Sequence, residues 1–81
     1  MFINKAPDQA NNVCGKNVAI FRKALKISQR ELAEKLQIIG LDVDKNAIQR
    51  MESGQRFVTD IEIIALSKVL NKTYEELLKT N

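Results

Sequence analysis

Three times along this chain of 81 residues a Ser or Thr is followed three positions later by Glu: Ser28-Gln29-Arg30-Glu31, Thr59-Asp60-Ile61-Glu62 and Thr73-Tyr74-Glu75-Glu76. In such a sequence the hydroxyl accepts the amide of the third helical residue while the Glu carboxylate accepts the cap residue's own amide. Two donors that a helix start leaves unpaired are satisfied together. A chain punctuated so often by helix starts, with very few alternating strand patterns, is expected to be all-α. Stops are marked as well. Gly40, Gly54 and Asn71 follow apolar-periodic stretches and can take the left-handed backbone that closes a helix.

The periodicity predicts five short helices in one compact domain over residues 13–81. The first begins within 13 to 17 and runs to about Lys26, with Cys14, Val18, Phe21 and Leu25 inward. The second starts at Ser28 and turns Leu32, Ala33, Leu36 and Ile39 inward. Asp44 is the expected N-cap of a third helix, Lys45 to Glu52, whose only large apolar residues are Ile48 and Met51. Projection at about 100° per residue puts Asn46, Arg50 and Ser53 opposite those two, flanked by Gln49. A short helix held by so little core presents that polar face to something. The fourth helix carries a wide apolar face of Ile61, Ile64, Ala65, Leu66, Val69 and Leu70, which marks it as the central packing element. The last turns Tyr74, Leu77 and Leu78 inward. Residues 1–12, with Pro7, Asp8 and the pair Asn11-Asn12, resist helix propagation and are expected to form a flexible N-terminal arm.

Charge and composition then limit the chemistry. Lys and Arg number 13 against 10 Asp and Glu, a net charge of +3 that permits an acidic partner without demanding one. The excess is local: residues 1–56 hold ten basic and six acidic side chains, residues 57–81 three and four. With no His and one Cys, the usual donors of a zinc site or a His-based nucleophile pair are lacking. Cys14 lies on the apolar stripe of the first helix, where an inert buried thiol is expected. Each close carboxylate set has a local explanation: Glu31 and Glu76 in capping boxes, Glu75 in a first helical turn, Asp44 as a cap. No catalytic residue, metal site or cofactor is therefore expected, and an enzyme reading is disfavoured. One Cys forms no internal disulfide, no apolar core of a signal peptide stands near Met1, and no apolar run approaches bilayer length. A reducing cytoplasm and no membrane contact are the expectation.

The pieces Ser28-Gln29, Glu31-Leu32-Ala33, Leu36, Ile48 and Met51-Glu52-Ser53-Gly54, followed by Asp60-Ile61 through Ala65, Val69-Leu70 and Tyr74-Glu75-Glu76-Leu77-Leu78, carry a resemblance. Together they are similar to the helix-turn-helix domain of the lambda-repressor/Cro/Xre class, over roughly residues 13 to 79. The S-Q-x-E-L-A start in register with the I-x-x-M-E-S-G end is its most diagnostic part. The resemblance implies that helix three enters the DNA major groove while helix two lies across the backbone. Its base-reading positions fall on Lys45, Asn46, Gln49 and Arg50, the face already marked by periodicity. Its phosphate-contacting positions fall on Gln29, Ser53, Arg56 and Thr59. It also implies a structural ion pair between Arg22, which adjoins the apolar stripe of helix one, and Glu52.

The chain departs from that pattern in one place. Leu36 and Ile48 are twelve residues apart, five more than in the family. Gln37 to Leu41 are expected to extend helix two by about a turn and lengthen the connector, with Leu41 and Val43 packing back. The leading functional expectation is a sequence-specific regulator of transcription, a repressor, binding a palindromic operator as a homodimer through helices four and five at Leu77, Leu78 or Phe57. The alternative is an antitoxin or coactivator-like module whose main partner is a protein, supported by Ile38, Ile39 and Leu41 in the added segment.

Overall fold

A computed structural model describes residues 10–80 of the chain. Its elements are α1 (Gly15–Ala24), α2 (Gln29–Ile38), α3 (Lys45–Glu52), α4 (Asp60–Leu70) and α5 (Tyr74–Leu78). Most of the expected arm, residues 1–9, lies outside the described residues; its last members do not behave as an arm, as shown below.

All three capping boxes form. Ser28, Thr59 and Thr73 accept the amides of Glu31, Glu62 and Glu76, and each Glu returns to the cap residue's amide. Those bonds hold the exposed Glu31 and Glu76 carboxyls below the usual carboxylate range, since the amides of Ser28 and Thr73 favour the charged form. Asp44 caps α3, its Oδ1 accepting the Ala47 amide at 2.8 Å. Four helices close in the same manner. The residue beyond the last turn is left-handed in each, at Lys26 (φ 60), Gly40 (φ 97), Gly54 (φ 83) and Asn71 (φ 54). The amide that follows it reaches back five residues: Ile27 to Arg22 O, Leu41 to Leu36 O, Gln55 to Arg50 O and Lys72 to Ser67 O.

The core gathers Cys14 and Val18 of the α1 end, Leu32, Ala33 and Leu36 of α2, Val43 of the connector, Ile48 and Met51 of α3, Ala65, Leu66 and Leu70 of α4, and Leu77 of α5. Helix α1 packs on α3, α4 and α5, and α4 on α1, α2 and α5, so the two share the central position expected of α4 alone. Six residues expected inward are not. Leu25 is 50% exposed because α1 ends at Ala24 and the helical repeat no longer directs it. Ile39 likewise sits at the end of α2, on its C-cap, and is exposed. Ile61 and Ile64 are exposed because α4 is apolar over a wider arc than its neighbours cover, and its buried line runs instead through Glu62, Ala65, Leu66 and Leu70. In five-residue α5 one position suffices, so Leu77 is buried while Tyr74 and Leu78 stay out. Cys14 is buried as expected, and desolvation pushes its thiol up to about 11, leaving it neutral at physiological pH.

An ion pair joins α1 to the end of α3. Arg22 Nε donates to Glu52 Oε2 at 2.7 Å, its Nη2 to Oε1 at 3.1 Å, and its Nη1 to Ile27 O at 2.8 Å. The bond to Glu52 strengthens Arg22's hold on its proton. Both side chains are nearly sequestered, 11% and 8% exposed, so removing either partner strands a charge in a poorly solvated place. Among the described residues no buried side-chain polar atom lacks a hydrogen-bond partner.

Two expected outcomes follow from this architecture. Lys26 holds a left-handed conformation that penalises a side chain by about 1 kcal/mol relative to Gly, so Lys26→Gly should raise the thermal midpoint by a few degrees. An unchanged or lower midpoint contradicts the strain assigned there. Glu52→Ala should cost about 3–5 kcal/mol and lower the midpoint by more than about 10 °C in a thermal melt, and a melt unchanged within error contradicts the role of the pair.

Candidate nucleic-acid interface

Helix α3 is eight residues long and buries only Ile48 and Met51 fully. At about 1.5 Å per residue it is a rod of about 12 Å, short enough to lie within one groove of a duplex. Burial of those two residues turns the opposite face outward, and Lys45, Asn46, Gln49, Arg50 and Ser53 are all exposed. The four side chains expected to read bases are thus brought onto one continuous surface. It carries two cations and two carboxamides and no carboxylate. Carboxamides offer the donor and acceptor that the adenine edge presents in reverse, and Arg offers two parallel donors to the acceptors of guanine.

The four residues expected at phosphates are disposed unequally. Gln29, the first residue of α2, is half-buried and donates Nε2 to Glu52 Oε1 at 3.0 Å, which leaves a second N–H and its carbonyl oxygen. Its position is thereby tied to the Arg22–Glu52 pair. Thr59 accepts the Glu62 amide and retains its own O–H. Ser53 donates Oγ–H to Arg50 O at 3.1 Å, and a phosphate, which has no donor, can take that proton only if Ser53 releases the carbonyl. Arg56 departs furthest from the expectation. Its Nη1 contacts both oxygens of the buried Glu62 at 2.9 and 3.1 Å and donates to Phe57 O at 3.3 Å, so much of its charge is neutralised inside the chain. Glu62 was legible as a capping residue; its second duty as the counter-ion of Arg56 was not.

The backbone after α3 is also largely committed. The amides of Gln55 and Arg56 both donate to Arg50 O, at 2.9 and 3.3 Å, and Gly54 N to Met51 O at 3.1 Å. The connector before α3 is ordered by a few contacts: α2 runs two residues past Leu36, Val43 is buried, Leu41 packs against the core, and Gln37 Nε2 donates to Val43 O at 2.6 Å. Ile38, 84% exposed, and Ile39 project from it.

Sequence reasoning missed two residues beside this site. Asn12 Nδ2 donates to Met51 O at 3.0 Å and to Arg56 O at 2.7 Å, while its Oδ1 accepts the Gly15 amide at 2.8 Å. Asn11 N donates to Gly54 O and its Nδ2 to Gln55 O, each at 2.8 Å. The end of the expected arm is therefore bound to the end of α3. Adjacent Asn residues before a helix signal local capping, but partners 39 to 44 positions away leave no local trace.

Among the described residues no helix is long and apolar enough to cross a membrane. Comparison with curated proteins finds no match, and comparison with solved structures finds none. A family model described as helix-turn-helix matches residues 18–77, a span that takes in α2, the connector, α3 and α4 and most of α1 and α5. By that match, and by a fold in which α2 and α3 form the paired helices, the chain belongs to the lambda-repressor/Cro/Xre-type helix-turn-helix family of DNA-binding regulatory domains.

Proposed function

We propose that this protein is a sequence-specific regulator of transcription, a repressor, that reads the major groove of double-stranded DNA with α3. The observation that carries the reading is the outward face of Lys45, Asn46, Gln49 and Arg50 on a helix whose opposite side is fixed by Ile48 and Met51. Arg50 supplies a two-pronged pair to guanine, Asn46 and Gln49 match adenine, and Lys45 reaches a base edge or a neighbouring phosphate. Gln29 and Thr59 hold the backbone through their remaining protons, with Ser53 and Arg56 as lesser contacts. No catalytic step and no cofactor enter this account, and a reducing cytoplasm suits the single buried thiol.

A homodimer on a palindromic operator completes the reading, since two recognition helices one turn apart multiply the contacts of one. Apolar surface for it is offered by Phe57, Ile61 and Ile64, which are 54%, 67% and 44% exposed, and by Leu78. Leu77, expected there from the sequence, is fully buried and has no part in it. The second reading, an antitoxin or coactivator-like module with a protein partner, is favoured by exposed Ile38 and Ile39 alone.

Selection from random duplex DNA tests both. The expected outcome is an enriched palindrome bound with a steep salt dependence, while nanomolar binding to a protein with no enriched duplex favours the second reading. On the recovered site, Arg50→Ala and Asn46→Ala should each cost about 1–3 kcal/mol in a titration and relax preference at one base pair. Unchanged binding by both folded variants overturns the assignment of α3.

A further inference from the structure

We propose that Asn12 is a positioning residue for the recognition helix: its carboxamide clamps the carbonyl end of α3 to the start of α1 and so sets the direction in which Lys45, Asn46, Gln49 and Arg50 face. This rests on the DNA-reading function proposed above.

The need for such a clamp comes from the two ends of α3. Its N-terminal end follows the connector of residues 39–44, held by the Gln37 to Val43 bond, the Asp44 cap and the packing of Leu41 and Val43. Its other end is gripped from several sides. Asn12 Nδ2 lies between Met51 O, in the last turn of α3, and Arg56 O, in the loop beyond it, at 3.0 and 2.7 Å. Asn11 holds Gly54 O and Gln55 O of the same loop. Backbones touch directly at Gly15, where a Cβ would overlap Met51 O, and a Cβ on Gly54 would come within 2.8 Å of the Ala10 side chain. The amide-rich start of α1 meets the carbonyl-rich end of α3, an arrangement both helix dipoles favour.

The chemistry explains why Asn stands at position 12. The site requires one acceptor, for the Gly15 amide that the α1 N-cap residue Cys14 does not serve, and two donors for the two carbonyls. A short carboxamide carries both; a carboxylate or hydroxyl does not. The same three partners fix which end of the carboxamide is nitrogen. Base-edge contacts depend on placement to a fraction of an ångström, so loosening this grip should degrade sequence readout more than attraction to phosphate.

Asn12→Asp separates the two duties, since it keeps an oxygen for Gly15 N–H and turns another oxygen against the two carbonyls; Asn12→Ala loses both. In the DNA-free protein, amide hydrogen exchange at Ser53 to Arg56 should quicken by about tenfold or more in both variants, and at Gly15 only in Asn12→Ala. Affinity is then measured well below the melting midpoint of each variant, for the selected duplex and for a random duplex of equal length. The expected result for Asn12→Asp is about a tenfold loss on the selected duplex with less than about a twofold change on the random one. Unchanged affinities, or a parallel fall on both duplexes, overturn the positioning role and leave Asn12 a structural residue. If the wild-type protein enriches no duplex, the DNA reading fails and the positioning role with it, an outcome distinguished by exchange at Ser53 to Arg56 that still responds to Asn12→Asp. If the Asn12 variants do not fold, Asn11→Ala, which removes the side-chain bond to Gln55 O, carries the same comparison with a smaller loss expected and the same overturning results.

Discussion

Glu52 is where three helices meet. It stands at the end of α3 and accepts two hydrogen bonds from Arg22 of α1 and one from Gln29 at the start of α2. An eight-residue helix with two buried side chains gains too little from apolar packing to hold a fixed direction, because ordering its backbone opposes the burial of Ile48 and Met51. The carboxylate supplies what packing does not. It ties α3 to α1 and α2 through directional bonds that tolerate little movement, and its partner guanidinium is itself held in place by a bond to Ile27 O.

That internal use of charge also decides where charge is left outside. Arg22 and Arg56 are neutralised within the fold by Glu52 and Glu62, two carboxylates drawn out of solvent to do it. Lys45 and Arg50 are exposed on α3. The net +3 of the chain is thus a poor guide to the field a duplex would meet, whereas the pairing pattern predicts a small positive face with carboxamides set between its cations. Gln29 sits between the inner and outer sets, half-buried and with one N–H donated to Glu52.

What was legible in the sequence is what local chemistry determines. The capping boxes at Ser28, Thr59 and Thr73, the Asp44 cap and the left-handed stops at Gly40, Gly54 and Asn71 all act within a few residues, and the structure has each of them. The polar face of α3 was legible because two apolar residues at helical spacing leave one orientation open. Leu25, Ile39, Ile61, Ile64, Tyr74 and Leu78 were misplaced because periodicity says which side of a helix is apolar, not how much of that side a neighbour covers. Lys26 gave no sign of its positive φ, since nothing in a lysine favours it. The Asn12 clasp and the Arg56–Glu62 pair escaped for different reasons. The first joins residues far apart in sequence, and the second hid behind a local role that already accounted for Glu62.

On the proposed reading the exposed face of α3 meets the bases, while Gln29 and the other flanking contacts meet only the DNA backbone. Titration of isotope-labelled protein with the selected duplex, followed through backbone and side-chain amide resonances, tests it residue by residue. The largest shifts are expected at Lys45, Asn46, Gln49 and Arg50, with Gln29 following at the start of α2. Shifts confined to Ile38 to Leu41 or to Phe57, Ile61 and Ile64, with α3 undisturbed, would contradict it.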